Sequence, residues 1–125
     1  MKNLKIYYSS VSGSQKLYIR SRDGDKIIDI DKIIFCEAKG NCTIIISEDE
    51  EVKICNSLCE VEEPLKAYAF LRCHYSFLVN LKKAKLFCRK LKNIKVSEYV
   101  IPISKRKVKD VIPVLVDYGI KENKK

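Results

Sequence analysis

Apolar and polar residues alternate along most of this chain, which is the pattern of half-buried β-strands. Short polar turn signals separate the apolar runs, among them Asp23-Gly24, Gly40-Asn41 and the acidic run 48–50. The pattern predicts strands at residues 16–20, 26–30, 33–38, 43–47, 51–55, 77–80, 85–90, 93–96 and 99–103. We therefore expect a mainly β protein built from multi-stranded antiparallel sheets.

Two segments depart from this alternation and have helical spacing instead. Ser57 and Glu60 have the spacing of a capping box at the start of one helix, which Pro64 should kink or keep short. The second helix is expected from Ser104, its predicted N-cap, to about Tyr118, where a glycine follows as a stop signal. The fold class is thus β-rich α+β, with one short helix in the middle and one at the C-terminus.

The chain has the size and composition of one globular domain. Its 125 residues are 46% hydrophobic, which fits a modest core. Residues 1–15 are polar and end in SSVSGS, which predicts a tail or linker; residues 16–120 then form the domain and 121–125 a basic tail. The chain shows neither the apolar core of a signal peptide nor a run approaching the roughly 18 residues of a membrane span. We expect a cytoplasmic protein with no membrane partner.

Charge is unevenly distributed along the chain. The 25 Lys and Arg outnumber the 16 Asp and Glu, so the net charge is +9 and the pI about 9.3. Between Lys82 and Lys109 the only acidic residue is Glu98, whereas the region between Glu48 and Glu63 is strongly acidic. A solvated surface is the ordinary explanation of a charge run, but this polarity favours an anionic partner on the C-terminal side.

The start of the last helix has an unfavourable charge pattern. Lys105, Arg106 and Lys107 follow the expected N-cap Ser104, although a helix N-terminus already carries partial positive charge. Local rules are broken most often at functional sites, and a helix N-terminus with free N–H groups and three cations is suited to phosphate. The alternative is a slightly unfavourable, solvated turn.

The polar chemistry does not suggest a metal centre or an enzyme. The six cysteines lie mostly in apolar strands and form no CxxC pair, and the chain has one histidine, so we expect free thiols and no metal site. No nucleophile motif accompanies that histidine, so we predict no catalytic residues, no cofactor and no small-molecule substrate.

Four motifs, in order, resemble the signature of the LytTR DNA-binding domain. FLRCHYSFLVN, at 70–80, has the family's Arg-x-His-polar-Ser pattern followed by Val-Asn. EAKGNCTIII at 37–46, NSLCEVEEPL at 56–65 and VIPISKRKV at 100–108 resemble its strand and loop, its helix start and its closing element. The resemblance covers about residues 16–120.

This resemblance implies a bacterial transcription regulator that binds double-stranded DNA through loops entering the major groove. It also implies paired domains, a possible homodimer, on direct repeats of bent DNA. We expect no receiver domain within these 125 residues. The residues that the resemblance turns toward DNA are Lys39 and Asn41; Arg72, His74, Tyr75 and Ser76; and Ser104, Lys105, Arg106 and Lys107.

Some of these positions depart from the family pattern or allow a second role. Cys42 replaces the usual aromatic residue, and Tyr75 occupies a position that is often Arg or Asn. Lys105 replaces Arg, which removes a bidentate fork that Arg106 could supply instead. His74 either donates to a phosphate or fixes its turn by bonding the backbone.

Two other functions remain as alternatives. A small basic RNA-binding protein would also be β-rich and cationic, although no aromatic platform is evident. A thiol-based redox sensor would use Cys73, because its neighbours Arg72 and His74 could lower the thiol pKa. An inert, buried Cys73 is the simpler interpretation.

Overall fold

The computed structural model describes residues 3–124. In this part of the chain, twelve β-strands form three sheets and two α-helices pack against them. Every strand predicted from the sequence is present, with bounds shifted by at most two residues. The mainly β prediction is therefore confirmed. Across the same residues, no helix is long and apolar enough to cross a membrane.

Sheet 1 and sheet 2 contain the first eight strands of the chain. Sheet 1 is antiparallel, in the order β1 (Leu4–Ser9), β2 (Ser14–Ile19) and β3 (Lys26–Asp29). Sheet 2 is also antiparallel, in the order β6-β5-β4-β8-β7. Its strands are β4 (Ile33–Lys39), β5 (Cys42–Ser47), β6 (Glu51–Ile54), β7 (Phe70–His74) and β8 (Phe77–Asn80).

Sheet 3 contains the remaining strands, in the order β11-β10-β9-β12. They are β9 (Ala84–Cys88), β10 (Asn93–Val96), β11 (Tyr99–Pro102) and β12 (Lys121–Glu122), of which only β12 is parallel to its neighbour. Helix α1 (Leu58–Leu65) lies between β6 and β7 in the chain, and α2 (Val108–Tyr118) lies between β11 and β12.

Sheet 2 is the middle layer, because its alternate residues point into two different cores. Cys36 and Leu78, which are opposite each other on β4 and β8, face the core shared with sheet 1 and α1. Phe35 and Val79, the next pair along, face the core shared with sheet 3 and α2. Burial on both faces fixes the strand register, since a slip of one residue would exchange the two sets.

Helix α1 follows its sequence signals closely. The Ser57 hydroxyl accepts from the Glu60 N–H at 3.3 Å, and the Glu60 carboxylate accepts from the Ser57 N–H at 3.1 Å. The predicted capping box is therefore confirmed. The helix is eight residues long and contains Pro64, and a 3-10 turn at Lys66–Tyr68 follows it. The α-helical part is thus short, as expected from the proline.

The predicted N-terminal tail at 1–15 is wrong for the residues described, because β1 and the start of β2 form a hairpin there. Leu4 is buried and Ile6 packs against the same core, so the hairpin completes sheet 1. The SSVSGS run is the hairpin turn, closed by the Gly13 N–H donating to the Ser9 carbonyl at 2.7 Å. The expected basic tail at 121–125 is also partly wrong, since its first two residues form β12.

Candidate nucleic-acid interface

Two of the predicted DNA-facing segments are neighbouring turns at one end of sheet 2. The first joins β4 to β5 at residues 40–41, and the second joins β7 to β8 at residues 75–76. Because β4 pairs with β8, the two turns adjoin, and the Ala38 N–H donates to the Ser76 carbonyl at 2.9 Å. We call this end of sheet 2, with both turns, the loop end.

The third predicted segment reaches the loop end through another backbone hydrogen bond. The Ser104 N–H donates to the Cys73 carbonyl at 2.9 Å, which places the 3-10 turn Lys105–Lys107 beside residues 75–76. Lys105 and Arg106 are exposed and Lys107 is half-buried. None of the three forms an ion pair with a residue in 3–124. The structure thus brings all three segments together, with free cations on one side.

Ser104 occupies the predicted N-cap position, at the start of the 3-10 turn Lys105–Lys107. Its side chain makes no capping hydrogen bond; its carbonyl instead accepts from the Lys107 N–H at 2.9 Å, which closes the 3-10 turn. Helix α2 begins only at Val108, and the acidic residue in its first turn, Asp110, suits the helix dipole. The cations therefore lie in a 3-10 turn that leads directly into α2, which is the unfavourable position predicted for them. Their exposure still makes them available to a polyanion.

Arg72 lies within a strand and its guanidinium is used inside the protein. The resemblance placed Arg72 on a loop that faces DNA, but residues 70–74 form β7, which has a register shift between Arg72 and His74. Arg72 Nη1 contacts Glu62 Oε1 of α1 at 2.8 Å, Nε donates to the His74 carbonyl at 3.1 Å, and Nη2 donates to the Tyr75 carbonyl. The side chain is 16% exposed. Arg72 therefore stabilises the turn at 75–76 by bonding its backbone carbonyls.

His74 and Ser76 also hold the turn in shape. His74 Nδ1 accepts from the Ser76 N–H at 3.0 Å, so this ring fixes the turn by bonding the backbone, as one of its two expected roles required. Its ring stacks on Tyr75 at a centroid distance of 4.9 Å and meets Phe77 edge-on at 5.5 Å. Tyr75 is left 73% exposed at the tip. Ser76 is half-buried, and no described residue bonds its hydroxyl.

The 40–41 turn presents a second exposed tip. Gly40 has a φ of +62°, a left-handed conformation that a side chain would strain. Asn41 is exposed, and its amide has no partner among residues 3–124. Lys39 is 60% exposed and lies 3.8 Å from Glu37, a loose ion pair that an external anion can replace. Cys42, at the departure from the family pattern, is half-buried.

The opposite end of sheet 2 is acidic and already paired with lysines. We call it the acidic end; it comprises the turn 48–50 and the 3-10 turns Ile30–Lys32 and Leu81–Lys83. Lys32 contacts Asp49 at 2.9 Å, Lys83 contacts Glu48, and Lys82 lies 3.5 Å from Asp31. The basic run from 82 to 109 is therefore not one surface, because its first lysines belong to the acidic end.

Two lysines that were not among the predicted DNA-facing residues add positive charge near the loop end. The turn between β9 and β10 contains Lys90 and Lys92, and the Ile103 N–H donates to the Lys92 carbonyl at 2.7 Å, one residue before Ser104. Lys92 has a φ of +53°. To place these lysines near the loop end, one would have to predict that the β9–β10 turn lies beside Ser104. The alternation of apolar and polar residues does not show which turns are neighbours.

Cys73 is not suited to redox sensing. Burial raises the pKa of its thiol to about 12, although the positive charges of Lys107 and Arg72 act in the opposite direction. The expectation that neighbouring cations would lower this pKa is therefore wrong, because desolvation dominates. A thiol that stays protonated at neutral pH is a poor nucleophile.

The chain is similar to known proteins in sequence and in fold. A family model, the LytTr DNA-binding domain, matches residues 23–115. The transcriptional regulatory protein NatR of Bacillus subtilis is 31% identical over 72 residues, which are 58% of this chain and 31% of NatR. The chain thus corresponds to about a third of that relative's length.

One solved structure has the same fold. It is described as the LytTr DNA-binding domain of a methyl-accepting/DNA response regulator from Bacillus cereus, and it superposes with a TM-score of 0.66 at 24% identity. The superposition covers 81% of this chain and 95% of the other. At this identity the likeness concerns the fold.

Proposed function

We propose that this chain, which belongs to the family of LytTR DNA-binding domains, binds duplex DNA sequence-specifically through the loop end of sheet 2. The observation that carries the proposal is the convergence of three segments, 39–41, 75–76 and 104–107, through the Ala38–Ser76 and Ser104–Cys73 backbone hydrogen bonds. Exposed polar tips and unpaired cations lie at this end, whereas the lysines of the acidic end are already paired with carboxylates.

The row of turns at the loop end is slightly wider than the major groove. The two turns are carried by β5, β4, β8 and β7, and three inter-strand spacings of about 4.8 Å give a row about 14 Å wide. The major groove of B-DNA is about 12 Å wide. The row would therefore run along the groove and not across it, and the turns would enter it without a recognition helix.

The exposed side chains divide into base readers and phosphate contacts. Asn41 can bond adenine in two directions, and Arg106 can present a fork to guanine. Lys105 and Lys107 suit phosphates or single acceptors, and the Tyr75 hydroxyl and Ser76 hydroxyl add donors. Arg72 and His74 act indirectly in this scheme, because they hold the tip on which Tyr75 stands.

The biological role follows as a further part of the proposal. NatR is named a transcriptional regulatory protein, which supports a role for this domain in a bacterial transcription regulator acting in the cytoplasm. Two copies of the domain would bind direct repeats and bend the DNA between them. Binding, and not catalysis, would be its function.

The proposal is tested by selecting bound duplexes from a random DNA library at physiological salt. The selected duplex is then titrated against a scrambled duplex and a single-stranded RNA of equal length. We expect spaced direct repeats to be enriched, with affinity at least 1,000-fold above the scrambled duplex, as is usual for specific sites. Equal, salt-dependent binding to all three nucleic acids would refute sequence-specific recognition, and a preference for the RNA would support the RNA-binding alternative.

A further inference from the structure

A basic pocket lies between sheet 1 and the end of β6. Its volume is about 540 Å³, and it is lined by the β2–β3 turn and by the end of β6 with the two residues that follow it. Among the residues that line it are Asn3, Arg20, Arg22, Lys26, Lys53 and Asn56. We call it the hairpin pocket.

Positive charge exceeds negative charge in the lining of the hairpin pocket. Four cationic residues line it against one carboxylate, that of Asp23. No residue in 3–124 forms an ion pair with Arg20, Arg22, Lys26 or Lys53. Arginines without an ion-pair partner in the lining of a concave surface suit a phosphate ligand.

The turn that carries the two arginines is held in one shape. Asp25 accepts from the Tyr18 hydroxyl and from the Ser21 N–H at 3.3 Å, and the Gly24 N–H donates to the Ser21 carbonyl at 3.2 Å. These hydrogen bonds hold the pKa of Asp25 below its usual value, with the Tyr18 bond as the main cause. The carboxylate of Asp25 thus braces the turn, whereas Asp23, which follows Arg22 in the sequence, lines the pocket.

A buried asparagine ties the hairpin pocket to the loop end. Asn56 exchanges amide hydrogen bonds of 2.8 and 2.9 Å with Asn3, and its carbonyl accepts from the Thr43 hydroxyl at 2.7 Å. Thr43 pairs with Ile54 and lies two residues after Asn41. The pocket is therefore at the same end of sheet 2 as the predicted DNA-facing turns, but on the far side of β6.

From this geometry we infer that the hairpin pocket is an additional phosphate site, formed by Arg20, Arg22 and Lys26, that binds DNA backbone outside the groove contacted by the loops. Four inter-strand spacings separate β6 from β7, so the pocket lies about 19 Å from the Lys105 side of the row. At about 3.4 Å per base pair this corresponds to about six base pairs of DNA. The inference rests on the proposed function for its DNA, although the pocket itself does not depend on it.

The test uses the selected duplex in two lengths. The short duplex ends at the site that the loops contact, and the long duplex extends it by about one helical turn, or ten base pairs, on each side. The dependence of affinity on salt is measured for the wild type and for the double variant Arg20→Ala, Arg22→Ala. We expect the double variant to lower the salt slope by about one to two on the long duplex, since each phosphate contact contributes about 0.9. On the short duplex the two proteins should be equal.

Two matched variants separate a local site from general loss of charge. Lys66→Ala, Lys85→Ala removes the same charge at exposed positions away from the pocket and should leave both slopes unchanged. Arg20→Lys, Arg22→Lys keeps the charge and should keep the slope. Equal losses in the two alanine double variants, or no loss in Arg20→Ala, Arg22→Ala, would overturn the DNA-backbone assignment.

A titration with inorganic pyrophosphate in the absence of DNA distinguishes the sources of phosphate. If pyrophosphate binds the wild type but not Arg20→Ala, Arg22→Ala, while the long-duplex slope is unaffected, the pocket takes a free phosphorylated ligand and the DNA assignment is wrong. If the wild type binds no duplex, the proposed function fails, and pyrophosphate binding decides the pocket by itself. If pyrophosphate does not bind and the double variant has the wild-type slope on the long duplex, the inference is overturned but the proposed function is not.

Discussion

Replacing Arg72 with alanine should destabilise the domain and leave its phosphate contacts unchanged. The guanidinium is 16% exposed and lies 2.8 Å from the Glu62 carboxylate, so the substitution leaves a half-buried acid without its partner. It also removes donors from the carbonyls of His74 and Tyr75. This outcome differs from the one expected if Arg72 faced DNA, as its position in the sequence motif suggested.

The magnitude follows from the hydrogen bonds that are lost. A hydrogen bond to a charged group contributes about 1.5–3 kcal/mol, and the bonds of one guanidinium are not additive, so we expect a loss of about 2–4 kcal/mol in the free energy of unfolding. For a domain of this length each kcal/mol lowers the melting temperature by about 4 °C, which gives about 8–16 °C in total. Urea unfolding followed by far-UV circular dichroism measures the change.

A second measurement on the same variant distinguishes the two roles of Arg72. At a temperature where the variant remains folded, its salt slope on the selected duplex should equal that of the wild type. Glu62→Gln, which removes the charge partner but keeps the side chain's size, should also lose stability and keep the slope. Unchanged stability of Arg72→Ala, combined with a slope lower by about 0.9, would refute the structural role and assign Arg72 to a phosphate.

Three further outcomes follow from the loop end, the acidic end and the buried thiol. Lys105→Ala should cost about 1–3 kcal/mol of binding if Lys105 reads a base, or about one unit of salt slope if it meets phosphate, whereas Lys85→Ala should do neither; electrophoretic titration checks this. Glu50→Lys should leave affinity nearly unchanged, and a large gain would mean that the binding face is at the acidic end. Because burial raises the pKa of Cys73 to about 12, iodoacetamide at pH 8 should modify the exposed Cys55 and not Cys73 in the folded protein. Modification of Cys73, detected by mass spectrometry, would support the redox alternative.

The secondary structure was largely predictable because its signals are local. Period-two alternation identified the strands of all three sheets, and the Ser57–Glu60 spacing identified the start of α1. The exceptions were β1, β7 and β12. At β1 the SSVSGS run resembles a linker although it is a hairpin turn. Leu4 contributes to the first core only through pairing with β2, and that pairing cannot be recognised from the composition of the segment.

The candidate site was predictable as a set of segments, but not as a set of roles. The motifs marked the three segments that the fold brings together, since each lies at or beside the end of a strand. The role of Arg72 depends on Glu62, which is ten residues away in the sequence and on a different element. Arg20 and Arg22 belong to the β2–β3 hairpin. They lie near the end of β6 only because sheet 1 packs in the same core as sheet 2 and α1.

The central claim is that DNA is bound at the loop end of sheet 2, and amide NMR spectra of the labelled domain test it most directly. Titration with the selected duplex should shift the resonances of residues 39–41, 75–76 and 104–107, while those of residues 48–50 and 81–83 at the acidic end should change little. Shifts concentrated at the acidic end, with the three loop-end segments unaffected, would contradict the account.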